Sequence, residues 1–405
     1  ERVSDIACME GFYTQEVFGI MGESGINQEM GVCIITHPFL ERYKGEIQVL
    51  SKFSSVLTHL YAKVFVITNT DNVAVSERVY VRKRKYYTNS KSSFYLIRYI
   101  MGELFTTLEL LKVRKDVNVI FFLGWIPVLS CLIARLLGKR IVLILHTSIP
   151  LGVKETYRGC IGKLLSSMIE RISRINYSLS KLIMIDSESL IRELGLDGYK
   201  EKVRVGSSIF VDTNIFKFTE EVNKRENLVG YIGRFSEEKG IINLIDAIPK
   251  ILEENQTVKF LIIGDGPLFL KLKKRIGGMG FSDRLFLLGW VPYEKIPDYL
   301  EEMKLLVLPS YIEGIPNIVL EAMACGTPIL ATPVGAIPDV IKDCETGFIM
   351  ENNSPEFIAK NVIRALNYLG LSRVVKNARA LIEEKYTYEA AVERYRNILS
   401  GLQSK

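Results

Sequence analysis

Histidine is nearly missing from this chain, with three in 405 residues, at positions 37, 59 and 146. No two sit at the spacing of helical metal ligands, which argues against a histidine-based metal site. Cysteine is sparse and irregular. The six, at 8, 33, 131, 160, 325 and 344, form no C-x-x-C pair. That excludes a disulfide frame and a zinc ribbon, and leaves buried thiols in a reducing compartment. Long apolar runs are also lacking. The most apolar stretch, Val117 to Leu137, is broken by Gly124, Pro127, Ser130 and Arg135. It reads as a strand plus a helix, not a membrane span. No charged-then-apolar leader is visible, so a cytoplasmic protein is expected, with peripheral attachment to the inner membrane face left open. There is no low-complexity tract and no internal repeat.

What is present is ordinary for a soluble globular protein: 48% hydrophobic and 24% charged residues. The length suffices for two domains with full cores. The net charge of +6 is unevenly spread. Residues 1–212 hold 28 Lys and Arg against 21 Asp and Glu, an excess of 7, which leaves the remainder at −1. From Arg78 to Arg98 seven basic residues run without one acid, interleaved with Tyr80, Tyr86, Tyr87, Phe94 and Tyr95. Three readings stand: a solvated basic face, a surface for anionic lipid or a lipid-phosphate acceptor, and a nucleic-acid contact. No nucleic-acid-binding motif accompanies the patch, so nucleic acid is not expected as a partner.

Residues 1–30 show little periodicity and are taken as an N-terminal extension. Strand Gly31–Thr36, a polar loop from His37 to Gly45, a helix over about Glu46–Tyr61 and strand Lys63–Thr68 make a βαβ opening. Gly45 can let the backbone approach a phosphate. Strand Lys139–Leu145 ends in His146, where an open α/β sheet presents its ligand crevice. Strands Lys181–Ile185 and Lys202–Val205 close the first domain, 31–212. A second α/β domain spans 213–385. It opens with a strand ending at Gly233, followed by Arg234, Lys239 and Gly240. A final amphipathic helix occupies 386–405.

The densest signal is Glu313-Gly-Ile-Pro-Asn-Ile-Val-Leu-Glu321. A short apolar strand, Lys304–Pro309, precedes it, and a helix capped by Gly326 contains its end. Pro316 suits the first turn of that helix. The amides of Asn317 and Ile318 at the helix start favour an anion. Glu313 and Glu321 lie on either side, able to accept hydroxyl hydrogen bonds.

This stretch resembles the E-x7-E signature of retaining GT-B glycosyltransferases of the family-4 type. The resemblance covers about residues 31–400 and is densest in the second domain. It implies two Rossmann-like, doubly wound parallel-sheet domains facing across a cleft. It further implies metal-independent transfer of a hexosyl or N-acetylhexosaminyl group from a nucleotide-diphosphate sugar, with UDP or GDP as the nucleotide. The acceptor would be a glycan or a lipid phosphate. By this resemblance Glu313 and His146 border the donor sugar, and Glu321 holds the ribose. Arg234, Lys239, Gly233, Asn317 and Ile318 surround the diphosphate, and Trp290 and Val291 lie beside the base. The C-terminal helix returns to the first domain. Two places depart from the pattern. Lys44-Gly45 stands where the family has a glycine pair, and Ser208-Ile-Phe210 replaces the usual Asn-Gly before Val211-Asp212. Alternatives on the same fold are a nucleotide-sugar epimerase and a non-catalytic subunit that binds nucleotide sugar or lipid.

Overall fold

The structure is a computed structural model. It describes residues 31–36, 44–69, 77–83, 95–124, 127–146, 160–188, 190–206, 209–218 and 221–402. The extension at 1–30 and most of the loop after the first strand lie outside the described residues. The chain divides into two compact units, 1–208 with 391–405, and 209–390.

The first unit runs β1 (Gly31–Thr36), α1 (Lys44–Leu60), β2 (Lys63–Thr68), β3 (Val79–Lys83), α2 (Tyr95–Val113), β4 (Val117–Leu123), α3 (Leu129–Leu136), β5 (Arg140–Leu145), α4 (Cys160–Leu179), β6 (Leu182–Ile185), α5 (Leu190–Glu193) and β7 (Val203–Val205). Its seven strands stand in the order β3-β2-β1-β4-β5-β6-β7, and every pairing is parallel. Strands covered on both faces must be apolar on both faces. That is why β1 and the end of β4 are continuous apolar runs and wholly buried. β3 is the edge. Its Arg82 and Lys83 are exposed, as charges that discourage further strand pairing should be. The basic stretch read from 78 to 98 therefore starts as an edge strand and ends as the first turn of α2, with 84–94 outside the described residues. Gly45 was expected in the loop before a helix from Glu46. Instead it lies in the first turn of α1, which starts at Lys44.

One buried carboxylate organises the joint between two helices. Glu103 of α2 accepts hydrogen bonds from the Val128 amide at 3.1 Å and from the Ser130 amide at 2.9 Å. These belong to the N-terminus of α3, where peptide N–H groups lack helical partners and a negative charge is stabilised.

The second unit runs β8 (Leu228–Ile232), α6 (Ile241–Glu254), β9 (Lys259–Ile263), α7 (Phe269–Gly277), β10 (Leu285–Gly289), α8 (Ile296–Glu302), β11 (Leu305–Leu308), α9 (Asn317–Cys325), β12 (Ile329–Ala331), α10 (Ile337–Val340), β13 (Phe348–Ile349), α11 (Pro355–Leu366) and α12 (Leu371–Lys385). Its parallel sheet has the order β10-β9-β8-β11-β12-β13. Both sheets reverse their direction of winding once, and the second does so between β8 and β11. Open α/β sheets bind ligands outside the C-terminal strand ends at such a point. The last helix, α13 (Tyr388–Ser400), starts in the second unit, and from Ala391 it belongs to the first. There Tyr395 lies against Phe53 of α1, with ring centres 5.5 Å apart.

Among the described residues no helix is long and apolar enough to cross a membrane. Cys33, Cys131 and Cys325 are buried free thiols, while Cys344 is partly exposed. Burial pushes the Cys131 and Cys325 thiols up to about 12, so neither is a nucleophile near neutral pH.

Candidate active site

Nine of the residues singled out from the sequence belong to the second unit, around the C-terminal ends of its strands. Lys239 and Glu313 meet directly. The Lys239 ammonium donates to both Glu313 carboxylate oxygens at 2.7 Å. The Ser310 hydroxyl donates to Oε1 of the same carboxylate, also at 2.7 Å. Glu313 is 7% exposed, so its charge is held largely out of water by one cation and one hydroxyl. The two partners are 74 residues apart in sequence, and no local pattern announces their contact.

Backbone packing holds the loops that carry this pair. Lys239 ends a short 3-10 turn that Gly240 closes at φ +64°. A Cβ on Gly240 would fall 2.0 Å from the Pro309 carbonyl oxygen, so the loop after β8 can press on the loop after β11 only through glycine. Gly335, at φ +54°, does the same for Glu313. Its missing Cβ would sit 1.7 Å from the Glu313 carbonyl oxygen. Gly335 was not distinguished as a site residue, because Val334-Gly335 reads as a plain turn until the structure shows what lies beneath it.

Arg234 follows Gly233 at the end of β8 and is about half exposed, 4.0 Å from Glu238. Its carbonyl accepts a 2.9 Å hydrogen bond from the buried Tyr231 hydroxyl. Burial, with the nearby charges of Glu313 and Glu238, pushes the Tyr231 phenol far up, so it stays a neutral donor.

Helix α9 begins at Asn317. Pro316 was expected in its first turn but takes the N-cap position, with an extended ψ of 136°. Asn317 and Ile318 thus provide the first helical amides, groups that lack carbonyl partners within a helix. From Val319 to Cys325 every residue of α9 is buried, and Gly326 ends it in the left-handed conformation. Two guanidiniums grip that end. Arg225 donates to the Cys325 carbonyl at 3.3 Å and Arg379 to the Ala324 carbonyl at 2.9 Å, where the helix dipole is negative. Glu321 lies inside this helix, 3% exposed. The Tyr293 hydroxyl donates to its Oε1 at 2.8 Å. Tyr293 follows Trp290 and Val291 in the segment after β10, so that segment is tied to Glu321. Trp290 is 56% exposed, whereas Val291 packs on the core. Neither Tyr293 nor Ser310 was singled out from sequence.

His146 and Gly45 belong to the first unit. His146 directly follows β5, and its Nδ1 lies 2.8 Å from Oδ2 of Asp186, the residue that directly follows the adjoining β6. Asp186 is buried, which fixes the imidazole and presents Nε2 on the opposite side of the ring. Among the described residues no three of His, Cys, Asp and Glu converge as a metal site requires.

Residues 212–387 match the family described as Glycosyl transferases group 1. This match spans the strand ends, glycines, carboxylates and cations described in the second unit, and not His146, Asp186 or Gly45 of the first. The second unit is thus similar to that family over nearly its whole length. N-acetyl-alpha-D-glucosaminyl L-malate synthase of Bacillus anthracis is 26% identical to this chain over 303 residues, 70% of this chain and 75% of that one. Alpha-D-kanosaminyltransferase of Streptomyces kanamyceticus is 33% identical over 172 residues, 42% of this chain and 45% of that one. This chain thus spans three quarters of the first relative and under half of the second. Among solved structures, Anabaena HepE in complex with UDP superposes with a TM-score of 0.70 at 16% identity, covering 92% of this chain and all of that one. The fold of both parallel-sheet domains is therefore that of GT-B glycosyltransferases.

Proposed function

We propose that this enzyme is a retaining, metal-independent transferase of a hexosyl or N-acetylhexosaminyl group from a UDP-sugar, with a GDP-sugar as the alternative donor. The observation that carries the proposal is the buried Glu313 carboxylate clasped by Lys239 and Ser310 beside the start of α9. The pair presents a carboxylate and an ammonium where a sugar joined to a diphosphate needs one of each. Binding of UDP by the fold neighbour HepE supports the choice of base.

In this reading the diphosphate docks on the Asn317 and Ile318 amides. Arg234 and Lys239 neutralise it, a task a divalent metal performs in other enzymes. Lys239 then shares its charge between phosphate and Glu313, whose oxygens turn to the sugar hydroxyls. Glu321, steadied by Tyr293, accepts from the ribose hydroxyls, and Trp290 and Val291 border the base. His146, oriented by Asp186, presents its imidazole at the C-terminal strand ends of the first unit, able to donate to or accept from a hydroxyl. As the bond from the anomeric carbon to the phosphate oxygen lengthens, negative charge grows on the leaving oxygen, and the two cations stabilise it more than they stabilise the ground state. The acceptor, a glycan or a lipid phosphate, attacks from the face the diphosphate leaves. The basic 78–98 stretch suits a membrane-borne acceptor.

Hydrolysis of the donor to water in the presence of EDTA tests both claims without a known acceptor. Proton NMR of the first sugar released from UDP-glucose or UDP-N-acetylglucosamine should show the anomeric configuration of the donor. Inverted sugar, or release that appears only when magnesium or manganese is restored, would refute the proposal.

A further inference from the structure

The crossovers β3–α2–β4, β4–α3–β5 and β5–α4–β6 all travel the same way along the first sheet. Right-handed crossovers therefore place α2, α3 and α4 on one side of it, and α1, whose crossover travels the other way, on the opposite side. α2 packs on α3, and α3 on α4. Their inner side chains, among them Leu110, Cys131, Ala134 and Tyr177, join the strands in one buried cluster.

The outer side of such a helical layer is normally polar. Here it is not. α2 exposes Met101, Leu104 and Leu108 on one face. α3 exposes Leu132 and Leu136, the latter 73% accessible. α4 exposes Leu164, Met168 and Ile175. The C-terminal helix packs on α1, away from this layer.

The charge among these side chains is mostly positive. Residues 99–115, 129–140 and 163–179 hold nine Lys and Arg against three Glu. Of those three, Glu103 is buried on the α3 amides and Glu109 is paired with Lys112. Exposed aliphatic side chains set among Lys and Arg match the boundary layer of a bilayer. The aliphatic tips enter among the headgroups and the cations meet lipid phosphates. A protein partner would need acidic groups placed to match, whereas an anionic bilayer carries them across its whole surface.

We infer that the outer face of α2, α3 and α4 docks the enzyme onto an anionic lipid bilayer. This assigns the contact to residues other than the 78–98 stretch, and because vesicle binding requires no sugar transfer it can fail independently of the proposed reaction.

The test is flotation of the full chain with vesicles of phosphatidylcholine alone or mixed with phosphatidylglycerol. The wild-type chain should float with the mixed vesicles, far less with phosphatidylcholine alone, and less as salt is raised. Leu104→Gln with Leu108→Gln, or Leu164→Gln with Met168→Gln, should weaken binding by about tenfold. Arg171→Glu with Arg174→Glu should weaken it by roughly as much. All six side chains are exposed, and an unchanged melting temperature confirms that each variant folds. Three results overturn the inference: no binding by the wild-type chain, helix-face variants that bind like it, or helix-face variants that only turn a dimer into a monomer. Loss confined to Arg82→Glu with Lys83→Glu would move the contact to the edge strand and likewise refute the helix face.

Discussion

Replacing Lys239 with alanine is expected to lower kcat by about 100- to 1000-fold, the range for removing one preorganised group that stabilises transition-state charge. Two effects combine. The leaving diphosphate loses a cation, and Glu313 is left with only the Ser310 hydroxyl against a charge that is 7% exposed. Stability should fall by about 1–3 kcal/mol, less than for a fully buried pair, because water still reaches the lysine. A double variant separates the two effects. Lys239→Met combined with Glu313→Gln removes both charges at once, so it should recover most of the lost stability and none of the activity. Recovery of activity would mean that the pair is only a structural brace.

Gly335→Ala should be the most damaging single methyl group in the site. The new Cβ would be placed 1.7 Å from the Glu313 carbonyl oxygen at φ +54°, so the loop carrying Glu313 must shift. Gly280→Ala is the control. It has the same left-handed backbone, φ +75°, but nothing within 4 Å of the added carbon. The control should cost only the left-handed conformational penalty, about 1–2 kcal/mol. The Gly335 variant should lose at least about twice that and also lose activity, because a shift of this loop misplaces the carboxylate. Equal melting temperatures and equal rates for the two variants would show that the contact beneath Gly335 does not position Glu313.

Much of this architecture is legible in the sequence, and the limits have physical causes. β8, β11 and the start of α9 stand out because strands buried on both faces are unbroken apolar runs and because Gly326 marks a helix end. The second unit, with its short strands and tight glycine turns, follows this rule closely. β3 and α2 were harder to see. Edge strand β3 carries Arg82 and Lys83 outward, and α2 turns Leu104 and Leu108 to the outside, so neither has the usual inside-out pattern. Long-range partners are invisible for a different reason. Glu313 can be placed in a loop from its neighbours, but nothing near it says that Lys239 will reach it, that Gly335 will lie under it, or that Tyr293 will hold Glu321. The same holds for Asp186, which is recognisable as a strand end but not as the group that orients His146.

Isothermal titration of UDP and GDP into the protein in EDTA tests the central claim most directly, with the wild-type chain and Glu321→Ala side by side. Metal-free binding of one nucleotide, UDP first, is expected, with an affinity about 10- to 100-fold weaker in the variant, the equivalent of losing charge-assisted hydrogen bonds to the ribose. The variant should still unfold cooperatively. Failure of every nucleotide to bind, or wild-type affinity in Glu321→Ala, would contradict that claim.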